Sequence, residues 1–155
     1  MTAPKSGEER CIFCDAASDR DARARLTLHA DDRIVVLLNR YPYTNGHLMV
    51  APVAHVAHLY ETDPATLSLL IRATAETQRI LADHYRPDGF NIGMNFGRAA
   101  GAGVADHYHV HVVPRWSGDA NFMTVTGQTR MIPEELEGTW ERLRPKFETF
   151  GKAFS

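Results

Sequence analysis

What this sequence has little of narrows it quickly. No apolar run approaches the roughly 18 consecutive residues that a membrane-spanning helix needs; the longest, "IVVLL" and "HLMVAPV", are strand-sized. Met1 to Arg10 is polar and holds no apolar core of a secretory signal. A surplus of one charge is missing too: 17 Lys and Arg face 19 Asp and Glu, a formal net charge of -2. That excludes the basic face that a nucleic-acid polymer asks for. Cysteine is limited to two residues, too few to staple a secreted scaffold. No repeat, low-complexity tract or linker divides the chain. These absences leave a cytoplasmic protein without a membrane partner, expected as one domain over 11–155 behind a flexible 1–10. Its 155 residues, 44% of them hydrophobic, suffice for a core.

What is present reads as strands first. "LTLHA" (26–30) and "RIVVLLN" (33–39) flank Asp31-Asp32 as a hairpin, and "HLMVAPV" (47–53) follows the turn chemistry of "YPYTNG". Asp63-Pro64 offers an N-cap and a preset first helical residue. Behind it Leu67, Leu70, Ile71, Thr74, Gln78, Leu81 and Tyr85 form the stripe of one long helix, closed by Pro87-Asp88-Gly89. "FNIGMNFG" (90–97) alternates, with Phe90, Ile92, Met94 and Phe96 toward a core and Asn91, Gly93, Asn95 and Gly97 on the other face. That small, polar face leaves room beside the backbone for a ligand lying across a sheet. A short strand near "FMTVT" (122–126) and a last helix from Pro133, carrying Leu136, Trp140, Leu143, Phe147 and Phe150, complete the order. Pro145 must kink or end that helix. The class is α+β: an antiparallel sheet with a long helix and a C-terminal helix packed on one side.

The chemistry concentrates in "DHYHVHVVPRW" (106–116), where alternation places His107, His109 and His111 on one face of an extended segment. Imidazole, with an ordinary pKa of about 6.5, is largely neutral at pH 7 and can serve as nucleophile, base or metal ligand. The row is therefore a metal cage or a catalytic surface. Cys11 and Cys14 in "CIFC" suit zinc if two further ligands exist, since no βαβ pattern surrounds them to suggest thioredoxin-like redox work. Arg115 reads as a surface cation, with contact to a polyphosphate tail as its alternative. Trp116 either stacks on a base, anchors a dimer or is a core or rim aromatic. His58 and Tyr60 read as packing or surface groups, and Asp119 and Asn121 as loop-capping residues.

"HYHVHVV" fits the pattern His-φ-His-φ-His-φ-φ, φ being apolar, and with "CIFC", "LNRYPYTNGHLMVAPVAH" and "GFNIGMNFG" in this order the chain resembles the histidine triad (HIT) nucleotide-binding family over roughly 11–143. "HVVPRWSGDANFM" is similar to the bacterial branch that includes diadenosine tetraphosphate phosphorylases. The resemblance implies that His109 is the nucleophile that attacks the α-phosphorus of a nucleotide, forming a nucleotidyl-histidine. It places His111 on the α-phosphate, His47 in support, Asn39 at the ribose hydroxyls and Asn95 at a phosphate. It also implies a structural zinc held by Cys11, Cys14, His55 and His107, no organic cofactor, and a homodimer.

One departure concerns the leaving group. Many relatives carry Gly-Gln and then a Ser or Thr before the triad, where this chain has "AGAGVAD"; the backbone amides of Gly101 to Gly103 are left to cradle phosphate oxygens. The expected activity is cleavage of a dinucleoside polyphosphate, diadenosine tetraphosphate first, with phosphate or water as acceptor. Two rivals stand beside it. A non-catalytic adenine-nucleotide-binding protein would keep its function in His109→Ala, and a three-histidine metalloenzyme would lose activity on chelation without a covalent intermediate.

Overall fold

The computed structural model describes residues 10–18, 20–119 and 134–154. The expected flexible segment up to residue 9, the strand at 122–126, Asn121 and the helix start at Pro133 lie outside the described residues.

Five antiparallel strands form one sheet in the order β1-β2-β3-β5-β4. They are β1 (Thr27–Ala30), β2 (Ile34–Leu38), β3 (Leu48–Pro52), β4 (Gly89–Met94) and β5 (Val110–Arg115). Asp31 shapes the β1–β2 turn by accepting the amide hydrogens of Arg33 (2.8 Å) and Ile34 (2.7 Å). The "IVVLL" of β2 is buried at every position because both of its faces are covered. Ile34, Val36 and Leu38 face the main core, with Val50, Tyr108, Val110 and Val112. Val35 and Leu37 face a smaller cluster on the opposite side.

The long helix α2 (Pro64–Tyr85) begins where its cap residues place it: the Asp63 carboxylate accepts the Thr66 amide hydrogen at 2.9 Å. Its phase differs from the expected stripe. Thr66, Leu70, Ala73, Thr74, Thr77, Ile80 and Leu81 are buried, while Ile71 is 59% exposed. Small residues at 73, 74 and 77 let the helix approach the sheet closely, and that contact sets the rotation. The C-terminal helix α3 (Leu136–Leu143) gives way at Pro145 to a 3-10 turn over Arg144–Phe147, as a proline lacking an amide donor requires. Leu143, Phe147 and Phe150 join the same core.

One element had no counterpart in the strand-and-helix reading. The segment after Cys11 is a helix, α1 (Ile12–Ala17), and it covers part of the sheet face opposite α2. Phe13 and Ala16 pack there against Val35, Leu37, Met49 and Ala51. On that face β4 is the exposed part, with Asn91 and Gly93 open among the described residues, while Val113 of β5 is buried.

Candidate functional site

Register brings the chemistry together. Gly93 stands opposite His111, Asn91 opposite Val113 and Gly89 opposite Arg115, while β3 places Met49 opposite His111 on the other flank. His107 and His109 precede the paired part of β5 yet continue its row: the His109 ring lies 4.8 Å from that of His111, and the Phe13 ring packs against both His109 (4.6 Å) and His107 (5.1 Å).

A relay of hydrogen bonds fixes which nitrogen of each ring bears hydrogen. The Tyr43 amide donates to His47 Nδ1 at 3.2 Å, so neutral His47 carries its hydrogen on Nε2. That nitrogen lies 2.9 Å from His111 Nδ1 and donates to it, leaving His111 with its own hydrogen on Nε2. The Asn39 amide nitrogen is 3.3 Å from the same His47 atom; both bear hydrogen, so this is a contact. Asn39 is held otherwise, its Oδ1 accepting the Tyr41 amide hydrogen at 2.9 Å and its backbone amide donating to His47 O at 2.9 Å. His109 is oriented separately. Its Nδ1–H donates to the His107 carbonyl at 3.1 Å, which leaves Nε2 with a free lone pair.

Burial keeps these rings neutral. Desolvation, then the neighbouring His111 and His109, holds His47 down at about 4. Desolvation followed by His109 holds His111 at about 4. Burial likewise lowers His109. His109 is more enclosed than a nucleophile facing an open groove would be: it is 4% exposed, under Phe13. His111 borders an opening on the same face, and His109 is not among the residues that line it.

That opening leads into a cleft of about 290 Å³ lined by Tyr43, Asn91, Gly93, Asn95, His111 and Arg115, among others. Tyr43 is 74% exposed and its ring stacks near-parallel to His111 at 6.4 Å. A Cβ added at Gly93 would meet nothing within 4 Å, so the bare backbone there is free space. The glycine loop is partly committed to itself. The Gly101 amide donates to Arg98 O and the Ala102 amide to Gly97 O, with Gly97 and Gly101 both at positive φ; Gly103 has no amide partner among the described residues.

A second cluster lies at the far end of the histidine row. Cys11 precedes α1 and Cys14 lies within its first turn. Their sulfurs and the Nδ1 atoms of His55 and His107 fall within 4.8 Å of one another, an arrangement that could hold a metal ion. His107 Nε2–H donates to Pro52 O at 2.8 Å, so its Nδ1 lone pair faces the cluster. Burial, and Cys11 beside it, push the Cys14 thiol up to about 11; a bound cation would reverse that cost.

The structure thus brings together His47, His109, His111 and Asn39, sets Asn95 along the cleft, and gathers Cys11, Cys14, His55 and His107. Four contributors escaped the sequence reading. Phe13 stood between two cysteines as an apolar residue, and Asp106, whose Oδ2 lies 3.5 Å from His55 Nε2, directly precedes the triad. Tyr43 acts through its backbone amide and Pro52 through its carbonyl, for which side-chain identity is no signal.

Comparison with known proteins agrees with this geometry. The HIT domain model matches residues 22–118. An AP-4-A phosphorylase of Mycobacterium tuberculosis is 44% identical over 106 residues, 68% of this chain but 54% of that relative, so the match spans about half of its length. A zinc-bound histidine triad family protein from Mycobacterium smegmatis superposes with a TM-score of 0.70 at 30% identity, covering 95% of this chain and 99% of that one. A hypothetical histidine triad nucleotide-binding protein from Sulfolobus tokodaii gives 0.69 at 26% identity, covering 92% and 93%. On the family model, the relatives and the histidine row together, the chain belongs to the HIT family.

Proposed function

We propose that the protein transfers or hydrolyses the nucleotidyl group of a dinucleoside polyphosphate, diadenosine tetraphosphate first among them, through a nucleotidyl-His109 intermediate. The observation that carries the reading is the fixed tautomer of His109: Nδ1–H is spent on the His107 carbonyl, and the lone pair is on Nε2. Attack on the α-phosphorus forms a P–N bond and breaks the bond to the bridging oxygen, which leaves with the electron pair on the departing polyphosphate. His109 becomes a cationic nucleotidyl-imidazolium whose remaining N–H stays on the His107 carbonyl. An oxygen of inorganic phosphate or water then takes the nucleotidyl group, and the P–N electron pair returns to His109. His111, held by His47 as an Nε2–H donor, supplies a hydrogen bond to a phosphate oxygen as charge builds.

Asn39 takes the ribose hydroxyls, and Asn95 with the Gly103 amide takes phosphate oxygens. The name of the phosphorylase relative, 44% identical over 106 residues, favours phosphate as acceptor. Zinc suits the second cluster. Tetrahedral Zn–N and Zn–S bonds place two nitrogens about 3.3 Å apart and a nitrogen and sulfur about 3.6 Å apart. The observed separations are 3.2 Å for His107–His55 and 3.2, 3.3 and 3.7 Å for three of the four sulfur–nitrogen pairs, with all four ligand atoms within 4.8 Å of one another. Four such ligands close the site, so the metal would tie α1 to the triad strand and leave chemistry to the imidazoles.

A homodimer fits β4. It is one of the sheet's two edge strands, with no pairing on its outer side among the described residues, and its Ile92 is 43% exposed. Sedimentation that gives one chain per particle would refute this.

The activity is tested by incubating diadenosine tetraphosphate with and without inorganic phosphate. Phosphorolysis gives ADP and ATP only with phosphate present, hydrolysis gives AMP and ATP in both, and no turnover in either refutes an enzyme of this kind.

A further inference from the structure

The cleft continues well past the reacting histidines, and its far end is built. His111, Val113 and Arg115 share one face of β5, so Arg115 lies about 13 Å from His111 at 3.3 Å per residue. Arg115 is not a loose surface cation. Its Nε and Nη2 donate to the two oxygens of Asp119 at 2.8 and 2.5 Å, and Nη1 donates to Asn91 Oδ1 at 2.9 Å. The Asp119 side chain is 4% exposed and also accepts the Trp116 amide hydrogen at 2.9 Å, so the guanidinium is held by a carboxylate that is itself hydrogen-bonded to the backbone. Three of its five N–H groups are engaged among the described residues, and one hydrogen remains on each Nη.

Between Gly93, opposite His111, and this anchor, Asn91 faces Val113 across the strand pair; Asn95 lies beyond His111, and the lining, which also includes Ile92, holds no carboxylate. A planar guanidinium held in place at the end of such a track suits the bidentate recognition of a phosphate group. We propose that the cleft is a subsite for the polyphosphate chain of the leaving group, with Arg115 receiving a distal phosphate and Asn91 positioning Arg115 and lining the path. This rests on the nucleotidyl-transfer reading and adds to it a substrate class: chains several phosphates long, favoured over short leaving groups. Asp119 cancels the guanidinium's charge at long range, so selection comes from hydrogen-bond geometry at the end of the track.

Calorimetry with inorganic tripolyphosphate and with AMP, on wild type, Arg115→Gln and Asn91→Asp, tests the subsite without turnover. Asn91→Asp keeps an oxygen for Arg115 and places a carboxylate in the track, so it covers the case in which Arg115→Gln fails to fold. The ratio of tripolyphosphate to AMP affinity should fall about tenfold in each variant. An unchanged ratio in a folded variant overturns the subsite. Absence of adenylyl-His109 in a protein whose tripolyphosphate binding depends on Arg115 would instead remove the reaction and leave the anion site standing.

Discussion

Gly46 offers a sharp test of how the site is held. Its φ is +78°, and a Cβ built there would stand 2.5 Å from Tyr85 Cε2. The tyrosine cannot swing away freely, because its hydroxyl donates to Glu134 Oε2 at 2.8 Å, and the same oxygen accepts from Thr139 at 2.8 Å and pairs with Arg142 at 2.9 Å. Gly46→Ala therefore carries two costs. Left-handed backbone in a residue with a Cβ costs about 1–2 kcal/mol, and displacing Tyr85 forfeits a hydrogen bond to a carboxylate, about 1.5–3 kcal/mol. A total of about 2.5–5 kcal/mol lowers Tm by roughly 5–20 °C for a chain of this size. In the Tyr85→Leu background the ring is gone, and the same substitution should cost only the backbone part, about 1–2 kcal/mol. Denaturant unfolding of all four proteins in the cycle measures the difference. Equal costs in the two backgrounds would refute the argument, as would a single-variant loss below about 1 kcal/mol.

Other expectations follow from the same geometry. His47 and His111 are held at about 4 against an ordinary 6.5, so between those values the unfolded chain binds more protons. Stability is then complete above pH 6.5 and lost as pH falls toward 4, by about 3 kcal/mol for His47 and less for the more exposed His111; a flat profile across that window in urea titrations would contradict it. Phe13→Ala removes the ring over His109 and should destabilise by about 3–5 kcal/mol, with faster carbethoxylation of His109 as its specific sign; unchanged reactivity would refute the cover. Chelation, or Cys14→Ser, should lower Tm and release one zinc per chain by metal analysis, and a protein purified without zinc yet unaffected by added zinc would overturn the metal site.

Period-two patterns were the legible part of the sequence. Alternation in 90–97 and 107–112 told which residues share a face, though β4 ends at Met94 and Ile92, expected toward the core, is 43% exposed. The pairing that sets Gly93 opposite His111 is a product of the fold, and Asp63-Pro64 marked the start of α2 correctly. Helix phase was less legible, because Ile71 and Ala73 are separated only by how closely the helix can approach the sheet. The triad was visible as three imidazoles, but their tautomers depend on the Tyr43 amide and on the Pro52 and His107 carbonyls, backbone groups placed by folding. Arg115 reads from the sequence as a surface cation or a polyphosphate contact; its bond to Asp119 is local, but Asn91 is 24 positions away and only strand pairing brings the two together.

The central claim is that His109 carries the nucleotide during turnover. Wild type mixed briefly with diadenosine tetraphosphate, quenched at alkaline pH to preserve the P–N bond and mapped by peptide mass spectrometry, should show one AMP adduct on His109 and none in His109→Ala. Turnover by wild type with no adduct under rapid quench, or with the adduct on another residue, would contradict the account.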